Sequence, residues 1–231
     1  MQKPQKVAVF DIDGTIFRSS FLIELSEAMV KEGLFPKSAR TEYEREHRKW
    51  FEREGGYQNY IDSVVYAFVK HLKGVHYGDF RDAAKQVVAA HEKQVYRYTR
   101  DLVPELKKKG FFLLAISQSP KAVLDGFCKK MGFDKVYGRL YELGPNDRFT
   151  GVVIDEHIIG NKGNVLRRAI EKENLTLKGS IGVGDTEGDI AFLEMVENPI
   201  CFNPNKKLYK TAKRMGWKVV VERKDVIYDI C

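Results

Sequence analysis

The sequence predicts an α/β protein: a Rossmann-like parallel sheet core with helices on both faces, plus a small all-helical cap inserted after the first strand. Three observations carry that prediction. Residues 7–10 are a short apolar run that ends in Asp11-Ile12-Asp13-Gly14-Thr15. Residues 17–97 hold only helical periodicity. From about residue 98 onward, strand and helix signals alternate. The core is therefore expected in residues 1–16 and 98–231, and the cap in residues 17–97.

Residues 7–10 are too few for a helix and apolar at every position, as a strand covered on both faces must be. Asp11 then lies at the carboxyl end of a buried strand, the edge where open α/β sheets bind ligands. The two-residue period puts Asp11 and Asp13 on one side, and Gly14 lets the backbone turn away. Ser19 or Ser20 can cap a helix that carries Phe21, Leu22, Leu25 and Met29 on one face. Residues 38–54 read as a charged helix with a thin apolar stripe, closed by Gly55-Gly56. Apolar residues then recur at helical spacing from Tyr57, and Asp79 opens a fourth helix.

Beyond the insertion, residues 102–109 read as a helix and residues 111–116 as a second buried strand. That strand runs into Ser117-Gln118-Ser119-Pro120, with Ser119 as cap and Pro120 as first residue of the next helix. Residues 136–141 and 149–154 suggest a β-ribbon. A helix over 162–174, a strand over 180–183, and the turn Gly184-Asp185-Thr186-Glu187-Gly188-Asp189 into a helix over 190–196 follow. Strands over 199–202 and 217–221, flanking a basic helix, complete the chain. This order implies right-handed crossovers.

The composition narrows the function. The 231 residues are 43% hydrophobic, enough for one sizeable core and a smaller lobe. The 39 Lys and Arg against 32 Asp and Glu leave a net charge of +7, but no dense basic run appears, so nucleic acid is not an expected partner. Cys128, Cys201 and Cys231 are far apart and suit a reducing compartment. No apolar run reaches membrane-spanning length, so a cytoplasmic protein without a membrane partner is expected.

Four polar sites fall where a strand ends or a helix begins: Asp11 with Asp13, Ser117, Lys162, and Asp185 with Asp189. In a doubly wound sheet those ends converge on one crevice. Crowded carboxylates repel one another unless a cation joins them, and oxygen-only ligands suit a hard ion such as Mg²⁺. A lysine and a hydroxyl beside them suit an anion. Together they describe a phosphoryl-transfer site, where catalysis is chiefly positioning and charge neutralisation, acting on a small phosphorylated metabolite.

At these residues the chain resembles the haloacid dehalogenase superfamily of phosphohydrolases. Asp11-Ile12-Asp13-Gly14-Thr15, Ser117 after its strand, Lys162, and the turn from Gly184 to Asp189 match the four family motifs in order. The helical insertion resembles the cap of the phosphoserine-phosphatase-like branch. The resemblance implies that Asp11 is the nucleophile of an aspartyl-phosphate mechanism and Asp13 the general acid and base. It implies Mg²⁺ held by Asp11, the backbone carbonyl of Asp13 and Asp185, with Asp189 nearby. It also implies phosphate binding by Ser117 and Lys162, helped by the backbone N–H groups of Gln118 and Gly14. Phosphoserine phosphatases carry a Glu shortly after the first motif, where this chain has Ile16-Phe17-Arg18-Ser19-Ser20-Phe21, so the chemistry transfers but phosphoserine does not. The substrate's remaining part is expected to meet Arg18, Phe21 and Glu24 after the first motif, and Arg45, Arg48 and Trp50 on the charged cap helix.

Overall fold

The computed structural model describes residues 3–154 and 159–230; Cys231 lies outside them. Its centre is strand β1 (Gln5–Phe10), whose alternate residues feed two hydrophobic clusters. Ala8 and Phe10 face one cluster, and Val7 and Val9 face the other, as a period of two requires. Both faces are thus covered, which explains why the strand is apolar at every position.

Four helices follow before the next strand: α1 (Phe21–Lys31), α2 (Ser38–Phe51), α3 (Tyr57–Leu72) and α4 (Tyr77–His91). Then come α5 (Arg97–Lys108), β2 (Phe112–Pro120), α6 (Lys121–Met131) and a ribbon of β3 (Lys135–Leu143) and β4 (Phe149–Ile154). The chain continues through α7 (Lys162–Glu173), β5 (Leu175–Gly184), α8 (Ile190–Leu193), β6 (Asn198–Phe202) and α9 (Lys206–Met215). It closes with β7 (Lys218–Arg223) and β8 (Val226–Asp229). The eight strands form one sheet in the order β4-β3-β2-β1-β5-β6-β7-β8. All pairings are parallel except β3 with β4 and β7 with β8 at the two edges.

The chain leaves β1 toward β2 and β3 on one side and returns to β5 on the other. That reversal beside β1 opens a crevice at the carboxyl ends of β1, β2 and β5. Helices α7, α8 and α9 cover one face through Val165, Leu166, Phe192, Leu193 and Leu208. The other face carries α5 and α6, and its hydrophobic cluster runs on without a break into α1–α4. Phe17 stacks on Phe21 at 4.0 Å, and Phe21 packs on Phe127 of α6 at 4.8 Å, so the insertion is bolted to the sheet by aromatic rings. The ribbon holds the far end, with Phe149 edge-on to Phe80 of α4 at 5.0 Å and Tyr141 against Phe68 of α3.

Several boundaries differ from the sequence expectation, each for a reason outside the local sequence. Ser119 and Pro120 do not start a helix in the expected way: β2 runs through Pro120, which pairs with Arg139, and the Ser119 hydroxyl accepts from the Leu22 N–H instead. Helix α5 begins at Arg97 because the Glu222 carboxylate, from β7, accepts the N–H groups of Arg97 and Tyr98. Helix α4 begins two residues before Asp79, capped by the His76 ring nitrogen accepting from Gly78 N–H. Strand β5 is longer than its apolar centre because Gln5 and Lys6 of β1 pair with Leu175 and Thr176. Strand β8 was not foreseen; all four of its residues are exposed, and an edge strand gives little hydrophobic signal.

Phe127 is fully buried where the insertion meets the sheet, whereas Phe51 at the end of α2 is 75% exposed. Phe127→Ala is expected to lower the unfolding free energy in urea by about 3–5 kcal/mol. Phe51→Ala is expected to change it by less than about 0.5 kcal/mol.

Candidate active site

The four sequence sites meet in the crevice. Asp11 follows directly from β1, and its N–H donates to Val183 O of β5 at 2.9 Å, which fixes the backbone at the strand end. Lys162 is the first residue of α7, whose N-cap Asn161 accepts from Gly163 and Asn164. Its ammonium lies 2.5 Å from Asp11 Oδ1 and 2.5 Å from Asp189 Oδ1, all three groups being buried. Asp189 ends the turn after β5, where its other oxygen, Oδ2, accepts from the N–H groups of Asp185 and Thr186 at 2.9 and 3.0 Å. Both Asp189 oxygens are therefore already engaged within the protein.

Asp13 is held differently. Its Oδ2 accepts from the Ser117 hydroxyl at 2.5 Å, and its Oδ1 accepts from the Phe21 N–H at 2.6 Å. Ser20 stands at the N-cap position of α1 but makes no side-chain cap bond, so Asp13 does that work from the preceding turn. A carboxylate at a helix N-terminus is favoured by both the free N–H groups and the helix dipole. Ser119 N–H donates to Ser117 Oγ at 2.9 Å and orients the hydroxyl.

Gly14 departs from its expected role. Its N–H is committed inside the turn, to Phe17 O at 2.9 Å and Ser19 O at 3.2 Å, rather than presented to the crevice. What the position requires is the missing side chain. At φ +82° an added Cβ would lie 2.1 Å from Asp185 Oδ2, so only glycine lets that carboxylate come in beside Asp11.

Asp11, Asp185 and Asp189 each offer an oxygen within 4.8 Å of the others. Burial, with the negative fields of Asp189 and Asp13, raises the Asp11 pKa to about 7 against the opposing pull of Lys162. Asp185 is pushed well above the usual carboxylate range by burial and then by Asp11 and Asp189. Asp13 is raised by burial, with the Ser117 and Phe21 hydrogen bonds acting the other way. Burial favours a neutral Lys162, but Asp11 and Asp189 outweigh it and hold the ammonium charged. One lysine among three carboxylates leaves an excess of negative charge, and Asp11 Oδ2 is buried without a partner among the described residues. Both features fit a hard cation bound at Asp11 and Asp185, with Asp189 already engaged as support.

Above the carboxylates lies a cavity of about 360 Å³. Asp11, Asp13, Lys162 and Asp185 line its floor, and Leu22, Tyr57, Gln58, Ile61, Asp62 and Val65 line the rest with Gln118, Ser119 and Arg139. Gln118 is exposed, and its Oε1 accepts from Arg139 Nη2 at 2.8 Å. Arg139 reaches the cavity because Gly138 lets β3 press against the start of α6; a Cβ there would lie 2.6 Å from Leu124 Cδ1.

None of Arg18, Phe21, Glu24, Arg45, Arg48 or Trp50 lines this cavity. Arg18 lies over the Tyr96 ring, Phe21 is buried in the aromatic stack, and Glu24 accepts from Ser19 Oγ at 2.7 Å. Arg45 and Arg48 are exposed, and Trp50 stacks on Tyr60 at 5.7 Å. The thin apolar stripe of α2 packs on α3, so α3 supplies the cavity wall in its place. Tyr57, Gln58, Asp62 and Arg139 were missed for that reason: on α3, Tyr57 belongs to the apolar repeat and Gln58 and Asp62 flank it, and the repeat alone does not tell which of these residues meet a cleft.

A family model described as haloacid dehalogenase-like hydrolase matches residues 8–194. Among curated relatives, a histidinol-phosphatase of Neisseria meningitidis is 27% identical over 230 residues, covering 94% of this chain and 98% of its own length. A phosphoserine phosphatase of Methanocaldococcus jannaschii is 22% identical over 227 residues, covering 98% and 96%. Among solved structures, a Bordetella pertussis protein of unknown function aligns with TM-score 0.73 at 17% identity, covering 94% of this chain and 98% of that one. A phosphoserine phosphatase bearing a phospho-aspartyl intermediate analogue aligns with TM-score 0.64 at 20% identity, covering 96% of both chains, and at such identities the likeness shows the fold. Because the family model spans most of its length, including the turns that carry Asp11, Ser117, Lys162 and Asp185, the chain belongs to the haloacid dehalogenase-like hydrolases.

Proposed function

We propose that the chain is a Mg²⁺-dependent phosphomonoesterase for a small organic phosphate, working through an aspartyl-phosphate. The observation that carries this reading is Asp11: a buried carboxylate lining the cavity beside Asp185, with one oxygen on Lys162 and the other without a partner among the described residues. The names of the two phosphatase relatives fit a phosphate ester of a small polar molecule. A cavity of about 360 Å³ is of that size.

The residues divide the work. Mg²⁺ held by Asp11 and Asp185 would neutralise phosphoryl charge and keep Asp11 ionised. Asp11 attacks phosphorus, and Lys162, with two of its three protons on Asp11 and Asp189, has one left for a phosphoryl oxygen. Asp13, its pKa raised by burial, would give a proton to the leaving oxygen and then take one from the attacking water. Helices α1–α4 serve as the cap that excludes water from the aspartyl ester, and α3 supplies its inner face.

Asp11→Asn is expected to abolish phosphate release from a panel of metabolite phosphates while leaving the circular dichroism spectrum unchanged. Residual turnover near the wild-type rate would remove Asp11 as nucleophile. Cap contacts divide by helix: Ile61→Ala is expected to raise KM about 3- to 10-fold, whereas Arg45→Ala and Arg48→Ala leave KM within about 2-fold.

The raised pKa of Asp11 also links metal to pH. A carboxyl whose folded pKa lies above its unfolded value contributes stability at low pH and loses it as the pH rises through the folded pKa, here from about 4 to about 7. The metal-free protein is therefore expected to lose stability over that window, and a cation restores it. Added Mg²⁺ should raise Tm more at about pH 8 than at about pH 5, and equal shifts would place the ion elsewhere.

A further inference from the structure

Tyr57 is the first residue of α3 and lines the cavity together with Asp11, Asp13, Lys162 and Asp185. Its ring is braced from behind by Trp50 at 5.4 Å and Tyr60 at 6.3 Å. The hydroxyl has no hydrogen-bond partner among the described residues. Bracing needs only the ring, which leaves the hydroxyl of this half-buried residue free to meet a ligand in the cavity.

Burial, followed by the negative fields of Asp13, Asp185 and Asp11, raises the Tyr57 pKa above that of an ordinary phenol. The hydroxyl stays neutral and is fit to donate to an anion. Those three carboxylates border the phosphoryl position from three sides: Asp11 from the attacking side, Asp13 from the leaving-group side and Asp185 from the cation side. Tyr57 lines the same cavity as all three, so its phenol borders the group they share. The leaving oxygen already has Asp13 as its proton donor, so the non-bridging oxygens are what remains.

We propose that the Tyr57 hydroxyl donates a hydrogen bond to a phosphoryl oxygen of the bound ester, adding a cap residue to the contact assigned above to Lys162. The inference rests on the phosphatase reading above. It gives α3 a part in the chemical step as well as in shaping the cavity. The contact exists only while α3 lies over the carboxylates, so cap position and transition-state binding are coupled. A neutral donor also strengthens phosphoryl binding without placing a second cation where it would repel the metal.

Tyr57→Phe keeps the ring and removes the donor, so the metal-free Tm is expected to stay that of the wild type. With Mg²⁺, kcat/KM is expected to fall about 10- to 100-fold, the range for one hydrogen bond to a charged group, and by the same factor for cationic, neutral and anionic leaving groups. Thermal stabilisation by beryllium fluoride with Mg²⁺, which mimics the phosphoryl group on Asp11, is expected to shrink in parallel. Wild-type kinetics in the variant overturn the proposal, as does a loss confined to one class of leaving group, which would place the hydroxyl on the substrate's other part. A wild-type protein that hydrolyses no ester in the panel overturns the phosphatase reading itself. Turnover by the wild type with an indifferent Tyr57→Phe overturns only the role of Tyr57.

Discussion

The Lys162 ammonium between Asp11 and Asp189 is the interaction on which the site depends. It ties the end of β1 to the start of α7 and to the turn after β5, three pieces of chain separated by 151 and 27 residues. A buried charge without partners is costly, so each of the three groups needs the other two. The arrangement is also unbalanced: with Asp185 nearby, carboxylates outnumber ammonium, and the raised pKa values of Asp11 and Asp185 express that excess. A scaffold optimised only for stability would have filled this crevice with apolar side chains. The excess of charge suits a cation, as the proposed phosphatase reading requires.

The second organising feature is the double duty of Asp13. The same carboxylate that is read as the acid and base accepts the first free N–H of α1, while Ser119, two residues after Ser117, accepts the next. The first cap helix is thereby fastened to the reacting groups by hydrogen bonds, and the Phe17, Phe21 and Phe127 rings fasten it to α6. These contacts hold the root of the insertion, while α3, farther along it, meets the cavity through Tyr57, Gln58, Ile61 and Val65. Under the proposed function, a fixed root with α3 beyond it would let one chemistry serve different esters by changing the residues of α3.

Asp11, Asp13, Ser117, Lys162, Asp185 and Asp189 were legible before any coordinates, because each stands where a strand pattern stops or a helix pattern starts. In a parallel sheet those points converge. The direction of Gly14 was not legible. Glycine after a strand signals a turn, but whether its N–H faces a ligand or its bare Cα makes room for Asp185 depends on a residue 171 positions away. The same applies to α5, whose first turn is completed by Glu222 from β7, and to Arg139, which enters the cavity because Gly138 admits the backbone of α6.

The cap shows the division most clearly. Periodicity alone determined that residues 17–97 hold helices, since apolar residues at helical spacing must find one buried face. Which helix would face the substrate was decided by packing. The stripe of α2 packs on α3, and Tyr43 and Arg40 reach Glu27 of α1, so α2 stands outside with Arg45 and Arg48 exposed, while Tyr57 is left at the cavity. By itself, then, the sequence determined the fold class, the strand ends and the carboxylates that meet in the crevice, because these follow from local patterns and a general rule of sheet topology. Only the tertiary structure decided which residues of α3 and β3 line the cavity, because these depend on how separate amphipathic elements divide one core between them.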